Sequence, residues 1–463
     1  MTPAPPSRRR PRFGLGLAAV LGGLAVVCAV LGFASLAQGP RVAGVQADPR
    51  GAIESSGSRV ILTANQPLAA IDPAQVTVDP AVPFTVDAAG RSIGIRFTVP
   101  LDDATTYSVT VAGVTAAGGG PQTDLGTSFE TPASRLLLLH RDATGHDEIL
   151  RTDVRGEKAV PVFSAEQIID FRATSNRLVV AVQEEDVAKL LVMDHDGKHV
   201  RELPLPGIGY VRGIQVSERG GLVGYTYSDR ELSESKGRAS VLVTQKLSGD
   251  DTPRIVEVGG RQVSILAWQF VPDSSAVLFV DFDSALSLID RSGDGGVQSL
   301  GLASSIRGIS RGTYTAIVER TDRTVVELDL ASGSERPLPA SAPDYGTPTT
   351  ITPYPGGTLR HVTARDPNGM PTGQAIVRVG DDGTATPLVE VGAGDAILQA
   401  CASPSGQYAA VAIAAKLAGN PYDHLLLPLP QRIETRLLDL RAGDALATLT
   451  GFDASWCQTP PQQ

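Results

Sequence analysis

The chain has 463 residues, 42 % hydrophobic and 19 % charged, with 49 Gly and 33 Pro. That length holds two or three domains, and the composition excludes a disordered chain while favouring many short strands joined by turns. Net charge is −10; setting aside Arg8, Arg9, Arg10 and Arg12 near the N-terminus leaves 36 basic against 50 acidic residues, or −14, which repels phosphate backbones and argues against nucleic acid as a partner.

Residues 1–12, MTPAPPSRRRPR, read as a basic cytoplasmic segment. Residues 13–37 then carry no charge. As a helix rising 1.5 Å per residue they cover a hydrocarbon core of roughly 30 Å, so a transmembrane signal anchor is expected. The arginines stay inside and the bulk of the chain lies outside the cytoplasmic membrane, which it crosses once. The competing reading is a signal peptide cleaved near Ala37, after Ser35-Leu36-Ala37, with secretion of the remainder. Cys28 follows Val26-Val27 rather than small residues, which speaks against lipoprotein processing.

From 42 to 132 the pattern alternates with period two. Val60-Ile61-Leu62-Thr63, Gln75 to Val78, Phe84-Thr85-Val86, Ser92 to Phe97, Thr106 to Val111 and Thr127 to Thr131 are separated by Asp-Pro, Ala-Gly and Gly-Gly-Gly turns. Such spacing reads as a β-sandwich. The segments Gln66-Pro67-Leu68, Tyr107 to Val111 and Phe129-Glu130-Thr131 resemble the bacterial Ig-like domains of surface and S-layer-type proteins. The resemblance implies a spacer or adhesive module without chemistry of its own, with Tyr107 as a buried aromatic.

From 135 to 457 the chain repeats every 40–50 residues or so. The third strand of each unit ends in a hydrophobic-Asp step and a Gly turn, at Leu190 to Gly197, Leu286 to Gly293, Val325 to Gly333 and Arg436 to Gly443. Another turn recurs at Val271-Pro272-Asp273-Ser274-Ser275 and Ser403-Pro404-Ser405-Gly406. These two cues resemble the WD40-like propeller of the Tol-associated periplasmic family. Six four-stranded units begin near 166, 208, 262, 304, 347 and 395, while 136–163 supply three strands and Phe452 to Cys457 one. The expected fold class is all-β: an N-terminal transmembrane helix, an Ig-like β-sandwich and a seven-bladed β-propeller closed by the C-terminal strand, with 458–463 as a tail. In that arrangement Cys401 and Cys457 lie on the innermost strands of adjoining blades, where a disulfide would staple the closure; two buried thiols are the alternative.

No catalytic centre, cofactor site or metal site is expected. Gly308-Ile309-Ser310-Arg311-Gly312 matches G-x-S-x-G, but a strand follows where a nucleophile elbow needs a helix. Asp290 to Gly295 opens like a calcium loop but has Gly301 where the twelfth-position acid belongs. Asp194-His195-Asp196-Gly197, with His199, is one hairpin, which rarely supplies three converging ligands. Three long insertions, Ser228–Arg238, Asp366–Gly373 and Lys416–Gln431, fall between second and third strands and so build one rim. The last is apolar for a loop, and Tyr422, His424, Leu425, Leu426 and Leu427 are its candidate binding residues. The functional expectation is a membrane-tethered, non-catalytic binding or scaffold protein whose rim takes a protein, peptide or glycan. The alternatives are an envelope hydrolase or lyase with a site in the channel, or a sensor subunit of an envelope apparatus.

Overall fold

The computed structural model of the chain describes residues 13–36, 38–141, 146–184, 187–233, 236–248, 252–293, 296–423, 425 and 428–461. Helix α1 (Phe13–Leu36) is built from Leu, Ala, Val and Gly with no charge. Its side chains are described over 16–28, roughly 20 Å of helix. Among the described residues no helix is long and apolar enough to cross a membrane.

The strands fall into two compact units. The smaller comprises Met1–Asp48, Arg59–Arg96 and Thr106–Phe129. One of its antiparallel sheets pairs Val42–Ala47, Arg59–Ala64, Ser92–Phe97 and Phe84–Ala89 in that order; the other pairs Val76–Asp79, Thr106–Val114 and Thr123–Glu130. Side chains alternate across a strand, and the burial follows: Tyr107, Val109 and Val111 are fully buried while Thr106, Ser108 and Thr110 are exposed. Tyr107 stacks on Phe129 with ring centroids 5.8 Å apart.

The larger unit comprises Pro49–Ser58, Phe97–Thr105 and Glu130–Gln463. It therefore takes in two stretches from within 42–132. Among its described residues are seven antiparallel meander sheets in chain order, the first of three strands and the others of four, plus the short pair Glu257–Val258 and Arg261–Gln262. The first strands of the six four-stranded sheets are Ile168–Ala173, Gly209–Ser217, Ile265–Phe270, Ser305–Ile309, Pro348–Tyr354 and Ala396–Ala402. They begin within three residues of the expected starts, and each neighbours the next. Six meanders whose first strands succeed one another in this way form a β-propeller. None of the sheets closes on itself.

The sequence shows why each sheet lies between two others. The second strands Leu178–Glu184, Ala276–Asp281 and Tyr408–Ala414 are near-continuous Val, Leu, Ile, Ala and Phe, buried on both faces. Their clusters span neighbouring sheets, as where Val179, Ala181 and Leu190 meet Val211, Ile214 and Tyr225. The first strand of each four-stranded sheet also carries a bulge against its second strand, between Ile168 and Asp170, Arg212 and Gln215, Ile265 and Ala267, Ile306 and Gly308, Pro348 and Thr350, and Ile397 and Gln399. A bulge re-aims the side chain beside it and sharpens local twist. Residues beside two of these bulges strap one sheet to the next: Asp170 Oδ2 accepts from Ile214 N at 2.9 Å and Gln215 Oε1 from Phe270 N at 3.0 Å.

The C-terminal closure differs from the expected strand. Phe452 makes a single antiparallel bridge with Leu139, through hydrogen bonds of 2.8 and 2.9 Å. Ladder pairing stops at Asp453, whose φ of 56° is left-handed and turns the chain out of register. Packing nevertheless joins the ends: one cluster contains Leu137 and Ile149 of the first sheet, Phe171 and Val180 of the second, Leu398 and Ile433 of the last, and Phe452. Cys401 and Cys457 form a disulfide, with Cα atoms 5.3 Å apart.

Candidate functional site

The connections between second and third strands all emerge at one end of their meanders, because alternate turns of a meander share an end. Among the described residues the predicted insertions occupy such connections: Ser228–Arg238 between Leu222–Asp229 and Val241–Lys246, Asp366–Gly373 between Gly357–Arg365 and Pro371–Gly380, and Lys416–Gln431 between Tyr408–Ala414 and Ile433–Asp439. Of the predicted binding residues, His424, Leu426 and Leu427 lie outside the described residues. Tyr422 is exposed and bridges to Pro430, and Leu425 is half-buried.

The apolar character of this last insertion is partly spent on its own anchoring. Leu429 is buried in the cluster that joins the first, second and last sheets, and Leu417 packs against it. Asp423 Oδ1 accepts from Leu425 N and Leu429 N, both at 3.1 Å, while its Oδ2 pairs with Arg141 of the first sheet. Arg141 lies 5.1 Å over the Phe452 ring. The insertion thus holds the seam of the ring and leaves Tyr422 outward.

The chain's own C-terminal segment lies against the first strands of the second and last sheets. Asp453 Oδ2 meets Arg172 Nη1 at 2.8 Å, and Asp453 Oδ1 accepts from Gln399 Nε2 at 2.9 Å. Arg172 Nη1 is also 2.8 Å from Asp170 Oδ1, so one buried guanidinium serves two buried carboxylates. Burial pushes Asp170 up to about 7; the charge of Asp453 adds to this and Arg172 opposes it. Further along, Gln458 O accepts from Arg172 Nε at 3.3 Å and Thr459 O from Gln399 Nε2 at 2.7 Å.

Toward the end opposite the rim a cavity of about 140 Å³ opens. The turns between first and second strands wall it, contributing Thr174, Ser217, Glu218, Asp273 and Arg311, and α2 (Pro49–Glu54) adds Arg50, Ile53 and Glu54. Asp273 holds that helix's chain in place. Its Oδ2 accepts from Ser56 N at 3.0 Å and Ser56 Oγ at 2.8 Å, and its Oδ1 from Arg311 at 3.0 Å. Asp273 itself sits at φ 57°. Asp273→Ala is expected to cost roughly 2–4 kcal/mol in denaturant unfolding, since charge-assisted bonds are lost and a buried amide is orphaned. Asp273→Gly, which accommodates the left-handed φ, separates the backbone share of that loss.

The other sequence candidates are absorbed by structure. Ser310 N donates to Thr315 O in a hairpin turn, and the strand Thr315–Glu319 follows. Asp290 accepts from Ser275 Oγ, Ser292 N and Ser292 Oγ, which pulls its carboxyl below the usual range; Asp294 and Gly295 lie outside the described residues. His195 Nε2 meets Thr174 O at 2.6 Å and burial lowers its pKa, while His199 Nδ1 meets Asp194 at 2.6 Å. Among the described residues no group of three or more His, Cys, Asp or Glu is placed to hold a metal ion.

Sequence reasoning did not single out Asp170, Arg172 or Asp453. The available signal was a charged pair two apart, on one face of the otherwise apolar run Ile168-Ile169-Asp170-Phe171-Arg172. The fold defines a β-propeller protein. No protein-family model matches the chain, and no curated protein matches it. Solved structures similar to it include a protein described as TolB from Agrobacterium tumefaciens, at 17 % identity over 57 % of this chain and 94 % of that one, with a TM-score of 0.38. TolB from Acinetobacter baumannii is similar at 12 % identity over 84 % and 82 %, with a TM-score of 0.39. An uncharacterized protein from Listeria monocytogenes is similar at 10 % over 68 % and 90 %, with a TM-score of 0.42.

Proposed function

We propose that this chain is a non-catalytic extracytoplasmic binding or scaffold protein, tethered to the cytoplasmic membrane by its N-terminal helix and engaging a protein, peptide or glycan through the propeller rim. The observation that carries the reading is the placement of exposed apolar side chains. Leu232, Phe282, Met370 and Tyr422 are 52, 62, 64 and 50 % exposed, and all four lie in connections between second and third strands. Isolated exposed apolar residues need no explanation, but four on one end of a rigid ring favour a contact surface.

The C-terminal segment across the first strands supports a binding role over chemistry in an open channel, since Asp453 ties Arg172 to Gln399 there. In this reading the seven sheets are blades and Phe452 completes the first of them. The smaller unit acts as an Ig-like spacer, and the uncharged α1, preceded by four arginines, anchors the chain.

A photo-crosslinking amino acid at Met370 or Tyr422, compared with one at Val200 in a third-to-fourth turn at the other end, tests the rim. Partner adducts are expected from the first two positions in intact cells; equal yields from all three would refute it. Carbonate extraction of envelopes tests the tether, with retention in the pellet expected for the full chain and release after deletion of 1–37.

A further inference from the structure

We infer that the cavity at the end opposite the rim is a binding site for a small carboxylate carrying an apolar body. This site is separate from the rim and does not depend on what the rim binds.

Arg172 is 2 % exposed and lines the cavity. Its Nε donates to Gln458 O and its Nη1 to Phe171 O and Asp453 Oδ2, with Asp170 Oδ1 in an ion pair at 2.8 Å. Its Nη2 has no hydrogen-bond partner among the described residues. A buried guanidinium donor without an acceptor is costly, and Arg172 is part of the cavity wall. Arg135, also on the lining, is exposed and has no side-chain partner among the described residues.

The acids of the lining are already engaged. Glu218 accepts from Ser175 N and Oγ, Asp273 from Ser56 and Arg311, and Glu54 lies 3.9 Å from Arg50. They leave Arg135 and Arg172 Nη2 to a ligand. Arginine forks match carboxylate and phosphate alike, so charge decides between them. Five arginines (50, 135, 151, 172 and 311) stand against Glu54, Glu218 and Asp273 in the lining, with Asp170 and Asp453 behind Arg172. The balance is close to neutral, which favours a single negative charge over the two of a phosphate. Ile53, Leu137, Phe270, Val271 and Trp456 supply apolar wall for the rest of the molecule.

The probes are N-acetyl-leucine, its amide N-acetyl-leucinamide, and N-acetyl-dialanyl-leucine with a free C-terminus, titrated calorimetrically into the full chain. The free acids are expected to bind at least tenfold more tightly than the amide. Arg135→Ala, at an exposed position, is expected to weaken the acids at least tenfold without changing the unfolding midpoint. A tripeptide that outbinds the single residue identifies peptide C-termini as the source of the carboxylate; the reverse order identifies free small acids. Equal binding of acid and amide, binding of none, unchanged affinity in Arg135→Ala, or displacement of the acid by equimolar inorganic phosphate overturns the assignment. The rim crosslinks report independently at the other end of the ring, so failure here leaves that reading standing.

Discussion

Replacing Cys401 and Cys457 together by alanine is expected to lower the unfolding free energy by about 4 kcal/mol and the thermal midpoint by on the order of 5–10 °C. The bond spans 56 residues of sequence, and restricting a loop of that length in the unfolded chain accounts for the magnitude. Both cysteines are buried with Leu136, Leu138 and Leu437, so alanine leaves a small void but introduces no buried hydroxyl. The fold itself is expected to persist, because Phe452, Leu137, Leu398 and the insertion's Leu429 still pack the seam. Calorimetry gives the midpoint, and limited proteolysis locates the loosening. Early cleavage should move to the segment after Asp453, and a variant as stable as the parent would show that the staple adds nothing.

Arg172→Met is expected to cost roughly 3–5 kcal/mol, because it removes one cation from between two carboxylates and strands both in the interior. Asp170 and Asp453 are each nearly inaccessible and face each other across that guanidinium. The same cluster gives a pH signature with a definite sign. Asp170 is raised from 3.8 to about 7, chiefly by burial. Well below pH 3.8 it is protonated whether folded or unfolded, and its penalty is absent. As pH rises toward 7 the unfolded chain ionises first, so the stability associated with Asp170 declines across that window. Asp170→Asn keeps an acceptor for Ile214 N and leaves Arg172 with Asp453. Between pH 4.5 and 7.5 the variant should therefore gain stability relative to the parent. Parallel pH curves in urea titrations would refute the assignment.

The meander units were legible because each carries its own local punctuation. A hydrophobic-Asp step and a Gly turn recur where four of the third strands end, and the six first strands begin close to where that spacing puts them. The cysteine pair was legible for a related reason: counting blades brings the C-terminal segment beside the strand Ala396–Ala402, and the Cys401–Cys457 bond forms although Cys457 lies past the strand pairing. What the sequence concealed is non-local. Nothing near Ser56 announces Asp273, 217 residues away, and nothing near Asp102 or Asp103 announces Arg441 and Tyr408, which bond to them. Val271 to Ser275 reads as a turn, and the left-handed Asp273 that gives it a second task shows only in three dimensions. The closing strand was overdrawn for the same reason. Period two runs through Phe452 to Cys457, but bridge pairing ends after Phe452, at the left-handed Asp453 whose carboxylate bonds Arg172 and Gln399.

The joining of Phe452 to Leu139 also sets an order of events during synthesis. A ribosome delivers the first sheet more than 300 residues before the segment that covers its inner edge. Throughout that interval Leu137 and Leu139 have no neighbour on one side, and the ring is an arc with two exposed ends. Under the extracytoplasmic reading proposed above, with the N-terminus exported first, the arc completes only outside, where Cys401 and Cys457 would also meet an oxidising medium. Closure and oxidation therefore fall at the same late moment, and a chain interrupted before Phe452 can do neither.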